Sequence, residues 1–300
     1  MKKNTLFALT GGVVLLLIVA FAAGVFDRHP STFDTPELHL KADAVTRIDL
    51  ETPRLSLTVE REGDGWRVTR PVADRAGKNM MRGLLTALEE LTPEAVVSMN
   101  PERYARYGVD STGKALTVHT GGDEVHLVIG KLTPDAQSVY LRYEDDPRVF
   151  VARGRPPLSS DLDAWRDKSV IDFGSPSVVR RVRVEKEDKT YEVALEDGAW
   201  MLHVDGETVP ADSVAVVRWI SRFIPLRADG FFDDLDAADV RENALEHLAF
   251  TLEDGSTRNL WTRIEGKYLS GVTDDSDVVY RLYGYTRVVI YPSSGSLKKK

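Results

Sequence analysis

The sequence contains no cysteine in its 300 residues. That absence excludes disulfides, thiol nucleophiles and thiolate metal sites, and it is compatible with an exported domain that folds without cross-links. Nucleotide and hydrolase signatures are missing as well. Gly130-Lys131 is followed by Leu132, and Val125 stands where a phosphate-binding loop needs its first glycine. No Gly-x-Ser-x-Gly elbow occurs. Positive charge is short: Lys+Arg number 39 against Asp+Glu 47, a net charge of −8, which becomes −10 when Lys2 and Lys3 are set aside. The basic run at Lys298-Lys299-Lys300 reads as a solvated tail, so nucleic acid is not an expected partner. An acidic exterior also speaks against broad adhesion to anionic lipid heads.

Long apolar runs are rare too, with one exception at residues 6–25. From Leu6 to Val25 the chain is almost continuously apolar, with Lys2 and Lys3 before it and Asp27 and Arg28 after it. About 20 apolar residues at about 1.5 Å rise each match the roughly 30 Å hydrocarbon core of a bilayer. Ala20-Phe21-Ala22 offers the small-x-small pattern of a cleavable signal, but the run continues beyond it and exceeds the usual length of a signal core. The expectation is an uncleaved single-pass anchor, which in a bacterium would lie in the inner membrane. The basic flank places the N-terminus in the cytoplasm and the remaining residues outside. The residues beyond the span, in a chain with 42% hydrophobic and 29% charged residues, are ordinary globular material.

Those residues repeat one order of features, offset by about 134 to 139 positions. Alternating strands at Thr46–Leu50 and Leu55–Glu60 are answered by Val179–Val184 and Tyr191–Leu195. Trp66, after Asp64-Gly65, is answered by Trp200, after Asp197-Gly198; both read as core aromatics beginning a hairpin strand, with a sugar-stacking platform as the alternative. Amphipathic helices follow, with stripes Met81, Leu84, Leu85, Leu88, Leu91 and Val214, Val217, Ile220, Ile224. Asp212 or Ser213 can cap the second helix. Gly108 and, less readily, Asn243 can close short helical turns in left-handed geometry. Strands then resume around the Gly121-Gly122 hairpin signal, with Ser138–Tyr143 pairing Val149–Ala152, and in the second half at Leu248–Leu252, Thr257–Arg263, Val278–Leu282 and Val288–Tyr291. A capped short helix is expected within residues 159–168. The expected fold class is α+β: a transmembrane helix, then two tandem repeats, each a mainly antiparallel sheet with one amphipathic helix. The expected divisions are an anchor at 1–27, a linker at 28–44, repeats at 45–172 and 173–292, and a basic tail at 293–300.

Chemistry-bearing groupings are sparse. Of six histidines, His29, His39, His119, His126, His203 and His247, only His119 and His126 have an implied geometry. A two-residue turn at Gly121-Gly122 sets His119 opposite Glu124 and Thr117 opposite His126, on one face. Two histidines and a carboxylate are a conceivable ligand set, but a solvated polar face is the expectation. The clusters Asp233-Asp234-Leu235-Asp236 and Asp274-Asp275-Ser276-Asp277 lack the glycine and glutamate of a calcium loop and read as solvated turns. No catalytic, cofactor or metal residue is expected.

Several segments together resemble a known family. They are the start Met1-Lys2-Lys3-Asn4-Thr5-Leu6, the Gly65-Trp66 turn, Tyr107-Gly108-Val109-Asp110, Val128-Ile129-Gly130, Ser138-Val139-Tyr140-Leu141-Arg142 and Trp165-Arg166-Asp167-Lys168. The chain is similar in these to the bacterial domain-of-unknown-function 4340 family, with Val109 where the family pattern usually has leucine. The resemblance implies a single-span anchor with an extracytoplasmic repeat, encoded beside permease and gliding-motility-type subunits of exporters driven by ATP-binding cassettes. It carries no enzymatic residues. A non-enzymatic accessory subunit contacting such membrane proteins is therefore the leading expectation. A binding module for envelope glycans or lipids, suggested by Tyr283 and Tyr285 near Trp261, is the alternative, and an unrecognised hydrolase is a third.

Overall fold

The computed structural model describes Leu38 and residues 40–186, 189–274 and 276–300. The expected span at residues 6–25, together with His29, His39 and Asp275, lies outside the described residues. Among the described residues no helix is long and apolar enough to cross a membrane.

In chain order the elements are β1 (Val45–Glu51), β2 (Ser56–Glu62), β3 (Gly65–Arg70), β4 (Asp74–Arg75), α1 (Lys78–Glu89), β5 (Thr92–Ser98), α2 (Tyr104–Tyr107), β6 (Lys114–Thr120), β7 (Glu124–Leu132), β8 (Ser138–Tyr143) and β9 (Val149–Arg153). There follow β10 (Ser169–Ile171), β11 (Val179–Lys186), β12 (Lys189–Glu196), β13 (Ala199–Val204), β14 (Glu207–Pro210), α3 (Ser213–Ile220), β15 (Leu226–Arg227), β16 (Gly230–Phe231) and α4 (Ala237–Glu242). The chain closes with β17 (Glu246–Leu252), β18 (Thr257–Glu265), β19 (Tyr268–Thr273), β20 (Tyr280–Tyr283), α5 (Arg287–Ile290) and α6 (Ser294–Leu297). The fold is mixed α+β, with few helices and two large antiparallel sheets. By contact the chain divides into two compact units, one of residues up to Pro53 with Gly83–Leu158, the other of Arg54–Arg82 with Ser159–Lys300.

In the first unit the strands are ordered β1-β6-β7-β8-β9-β5. The Gly121-Gly122 turn sets the β6–β7 register as the sequence predicts, with Thr117 facing His126 and His119 facing Glu124. Because side chains alternate along a strand, Leu116, Val118, Leu127 and Ile129 turn inward and are buried. β8 pairs with β9 as expected, Leu141 facing Phe150. From Gly83 onward α1 belongs to this unit and buries Leu84 and Leu88, and Leu91 is buried just past its end; Met81, on the part of α1 before Gly83, is buried too. β5 is an addition the sequence does not announce. Its pairing with β9 slips between Pro93 and Ala95 and again between Val96 and Ser98; Pro93 cannot donate to a ladder and suits the outermost place β5 holds in this order.

In the second unit β4-β3-β2 run as successive hairpin partners. The turn between β2 and β3 is Gly63-Asp64 rather than Asp64-Gly65, since Glu62 already pairs with Gly65. The second sheet is ordered β14-β13-β12-β11-β17-β18-β19-β20-β16. Its segment β11-β17-β18-β19-β20-β16 has the same order as β1-β6-β7-β8-β9-β5, and β14-β13-β12 the same as β4-β3-β2. Val182, Val184, Val193, Leu202, Leu248, Phe250 and Leu260 form one core with α3 residues. Full burial of such side chains contributes roughly 1.5–3 kcal/mol each.

Three expectations are corrected here. α3 buries Val216, Trp219 and Ile220, joined by Phe223 beyond its end, whereas Val214 and Val217 are 66% and 41% exposed. The large aromatic areas of Trp219 and Phe223 decide which face turns inward, and the Trp219 indole N–H donates to Ile290 O at 2.9 Å. Residues 288–291 do not form a strand; α5 ends at Ile290, and Ile290 and Tyr291 join the core from it. Asn243 closes α4 at φ −106°, outside the left-handed region, whereas Gly108 closes α2 at φ +67° as expected. Asp212 caps α3 as predicted, accepting the N–H groups of Val214 and Ala215. Trp200 is buried; Trp66 is half-buried, with the Arg61 guanidinium 4.8 Å from its ring centre.

Candidate functional site

The densest polar grouping lies in the second unit and is built on Trp165-Arg166-Asp167-Lys168. The residues before it form a single 3-10 turn, Leu162–Ala164, because the Asp161 carboxylate accepts the Asp163 N–H at 3.1 Å. Trp165 is fully buried and its indole N–H donates to Ser159 O at 3.0 Å, which fixes the next residue inward. Arg166 is 1% exposed at its side chain. Its Nε donates to Asp74 Oδ2 and its Nη1 to Asp233 Oδ1, both at 2.7 Å, while its guanidinium carbon lies 3.5 Å from the centre of the Phe231 ring. Around this centre, Arg75 donates to the Tyr280 hydroxyl at 3.1 Å and Lys168 to Asp229 O at 2.7 Å. Arg281 reaches Asp163 at 3.3 Å and Asp229 at 3.5 Å.

A buried guanidinium is tolerable only when its donors meet acceptors, and Asp74, itself buried, supplies the first of them. Burial pushes the Asp163 carboxyl above the ordinary range, against the pull of Arg281. A groove of about 900 Å³ borders the grouping; Arg75, Lys78, Asp167, Arg227, Arg258 and Asp274 are among the residues that line it. Groups of both signs line it, so the groove presents no field of one sign. A carboxyl of raised pKa beside a groove is what a general acid needs, yet the oxygens of Asp163 are turned toward Arg281 and Arg166. The arrangement ties the ends of β4 and β16 and the segment before β10 by charge.

A second grouping, in the first unit, gathers Tyr107, Val109, Val128 and Val149, with Tyr104 and Tyr140 against them. It explains three of the family-like segments. An added Cβ at Gly130 would meet Tyr107 O at 2.3 Å, so only glycine allows α2 to approach β7 so closely. Arg142 Nε donates to Val109 O at 3.3 Å, and the rings of Tyr107 and Tyr140 lie 4.8 Å apart.

The remaining candidates are dispersed. His119 and His126 share the β6–β7 face with Glu124, as the register requires. His203 meets Glu196 and Thr208, and His247 meets Glu185 and Asn259 while stacking on Trp261 at 5.1 Å. Asp233 serves Arg166, Asp236 caps α4, and Asp274 accepts the Asn259 backbone and side-chain N–H groups. Asp233, Asp236 and Asp274 of the acidic clusters thus serve structural partners. Among the described residues no group of three or more His, Asp or Glu side chains is placed to hold a metal ion. Tyr283 and Tyr285 stack at 5.4 Å with rings within 13° of parallel and are 43% and 73% exposed. The buried Arg166 centre escapes sequence reasoning, which reads its segment only as a capped short helix; the large aromatic Trp165 beside it is the sole local signal.

No curated protein and no solved structure matches this chain. The family described as Domain of unknown function (DUF4340) matches residues 66–248, which include Gly130, the Tyr107–Asp110 segment, Arg166 and its partners Asp74 and Asp233, and the chain belongs to that family.

Proposed function

We propose that this protein is an accessory subunit of an envelope export assembly driven by ATP-binding cassettes, anchored in the bacterial inner membrane by residues 6–25 and acting through protein contacts outside it. The observation that carries the reading is the apolar run of membrane-spanning length joined to a body of two large sheets. We read the shared strand order of those sheets as an internal duplication. Family membership supports the reading, because the family implies an anchored extracytoplasmic body beside permease and gliding-motility-type subunits. An exposed patch of Tyr283, Tyr285, Val288 and Val289 in the second unit supplies apolar surface suited to a protein partner.

The test is purification of the full chain from native membranes in mild detergent after crosslinking, with mass spectrometry of what is retained. The expected result is a permease subunit of an ATP-driven exporter, depleted when Tyr285 and Val288 are both replaced by serine. A chain that emerges alone across detergents and crosslinkers overturns the reading. The stacked, exposed tyrosine pair favours a second reading, a module that binds envelope glycans. Thermal shifts with cell-wall fragments distinguish it, since a ligand of the native state raises the melting temperature.

A further inference from the structure

We propose that His247 is a proton-operated clasp on the outer face of the second sheet: charged, its ring ties β11 to β18, and neutral, it lets β11 go. The register sets the contact. Glu185 stands directly across from His247 on one side and Trp261 on the other, so the three side chains share one face of three adjacent strands. The imidazole lies flat on the indole, with ring centres 5.1 Å apart and planes within 8° of parallel. Its Nδ1 is 3.3 Å from Glu185 Oε2, and its Nε2 is 2.9 Å from Asn259 Oδ1.

Both partners are acceptors. A carboxylate has no proton to give, and the Asn259 amide is fixed one way round, because its nitrogen donates to Asp274 Oδ1 at 2.9 Å while its backbone N–H donates to Asp274 Oδ2 at 2.6 Å. The amide oxygen must then face the ring. Only an imidazolium donates from both nitrogens, and on losing a proton the ring keeps a single N–H. Asn259 is held in place by Asp274, whereas Glu185 is 42% exposed and has Arg183 Nε at 2.9 Å as a second donor. The neutral ring therefore keeps its Nε2–H for Asn259 and gives up Glu185. His203 makes the contrast: its Nε2 meets Glu196 at 2.8 Å and its Nδ1 the Thr208 hydroxyl at 2.9 Å, and a hydroxyl can turn to donate, so that ring keeps both contacts when neutral.

The charged groups facing the cluster are Arg183 on β11, Arg263 on β18, Arg241 on α4 and Asp274 after β19. Arg241 is held by the Thr273 and Ser276 carbonyls with its guanidinium carbon 5.9 Å from the Trp261 ring centre, and Arg263 by Asp239 and Glu265. On its own strand, the face of His247 carries Ala249 and Thr251, which have no charge. Against burial, which pushes it up, hydrogen bonds from His247 and Arg183 hold the Glu185 carboxyl below its ordinary range. The clasp is therefore lost as pH rises through the histidine range, and again in strong acid, when Glu185 takes up a proton. It is closed between those limits. On the function proposed above the body lies outside the cytoplasm and meets such changes directly, although the clasp itself does not rest on that reading.

The experiment follows tryptophan fluorescence of the full chain in detergent micelles from about pH 5 to 8, the span over which a histidine changes charge, with the Trp261 signal taken as wild type minus Trp261→Phe. An imidazolium lying on an indole quenches it, so Trp261 is expected to brighten as pH rises. The step should vanish in His247→Gln and stay unchanged in His203→Gln. Glu185→Gln, whose amide can donate as well as accept, is expected to move its midpoint to lower pH. Nitrogen NMR of the chain labelled only at histidine should find the neutral His247 ring in its Nε2–H form, and circular dichroism across the range confirms the fold of each variant. A Trp261 signal that is flat across the range, a step that survives His247→Gln, or a neutral ring in the Nδ1–H form overturns the proposal.

Discussion

α2 and α4 hold the same rank in their sheets, between β5 and β6 in one and between β16 and β17 in the other, yet they are secured by opposite means. In the first unit the contact is steric. Gly130, three residues beyond the Leu127 that faces Leu116, lets Tyr107 O come against the strand, and Lys131 Nζ donates to Ala105 O and Arg106 O at 3.1 Å each. The β7–β8 register slips there, between Ile129 and Leu132, as a bulge does when an extra residue is admitted. In the second unit the residue three beyond Leu260, which faces Leu248, is Arg263, and the β18–β19 register is unbroken. Arg263 reaches Asp239 of α4 at 2.8 Å and Glu265 at 2.6 Å. Where the first sheet gives up a side chain to bring backbone close, the second extends a charge across the same interval. Steric approach fixes a distance independently of solvent, whereas an ion pair with an exposed partner answers to salt and pH.

Three measurements can break or sharpen that contrast. The largest effect is expected from Gly130→Ala, whose Cβ has no room. It should destabilise the first unit by about 1–3 kcal/mol in urea unfolding followed by circular dichroism. Gly121→Ala, where nothing lies within 4 Å of the added carbon, is the control, and equal shifts for the two variants would remove the steric account. A smaller effect is expected from Arg263→Ala. Hydrogen exchange at Val240 and Asn243, whose amides bond within α4, should quicken in low salt, and the difference from wild type should shrink in high salt. A difference that is indifferent to salt would mean packing, not charge, secures α4.

The smallest effect concerns acid. The hydrogen bond from Arg263 holds the Asp239 carboxyl below its ordinary range. A carboxyl with a depressed folded-state pKa contributes stability above its unfolded value and loses it as pH falls through the folded one. Protection of α4 should therefore decline as pH is lowered below the ordinary aspartate range, and Arg263→Ala should flatten that decline. Parallel declines in both proteins would sink the assignment.

How far these features could be read in advance depended on whether their causes were local. The β6–β7 register followed from Gly121-Gly122, and the α3 start from Asp212, because turn and cap chemistry act within a few residues. The inward face of α3 did not follow, since Val214, Val216 and Val217 are alike in sequence and only the volumes of Trp219 and Phe223 separate them. β5 and β19 were missed because Thr92-Pro93 and Ser270-Gly271 interrupt the apolar alternation that marks a strand. The Arg166 centre was illegible for a different reason. Its partners Asp74 and Asp233 lie 92 and 67 residues away, and neither stands out among 47 acidic residues until the chain is folded. The histidine face was legible in outline, but the grip of Asp49 on His119 spans 70 residues and belongs to tertiary structure.

The pairing of β1 with β6 carries a consequence for synthesis. The Thr46 hydroxyl donates to His119 O across 73 residues, so β1 has finished emerging long before the strand that completes its ladder exists. At roughly 5–20 residues per second, that edge waits some seconds with its amides and carbonyls unmet on this side. During that interval β1 offers a nascent sheet edge to any neighbour, and a holdase that shields β1 until β6 arrives should raise the yield more than one acting after release.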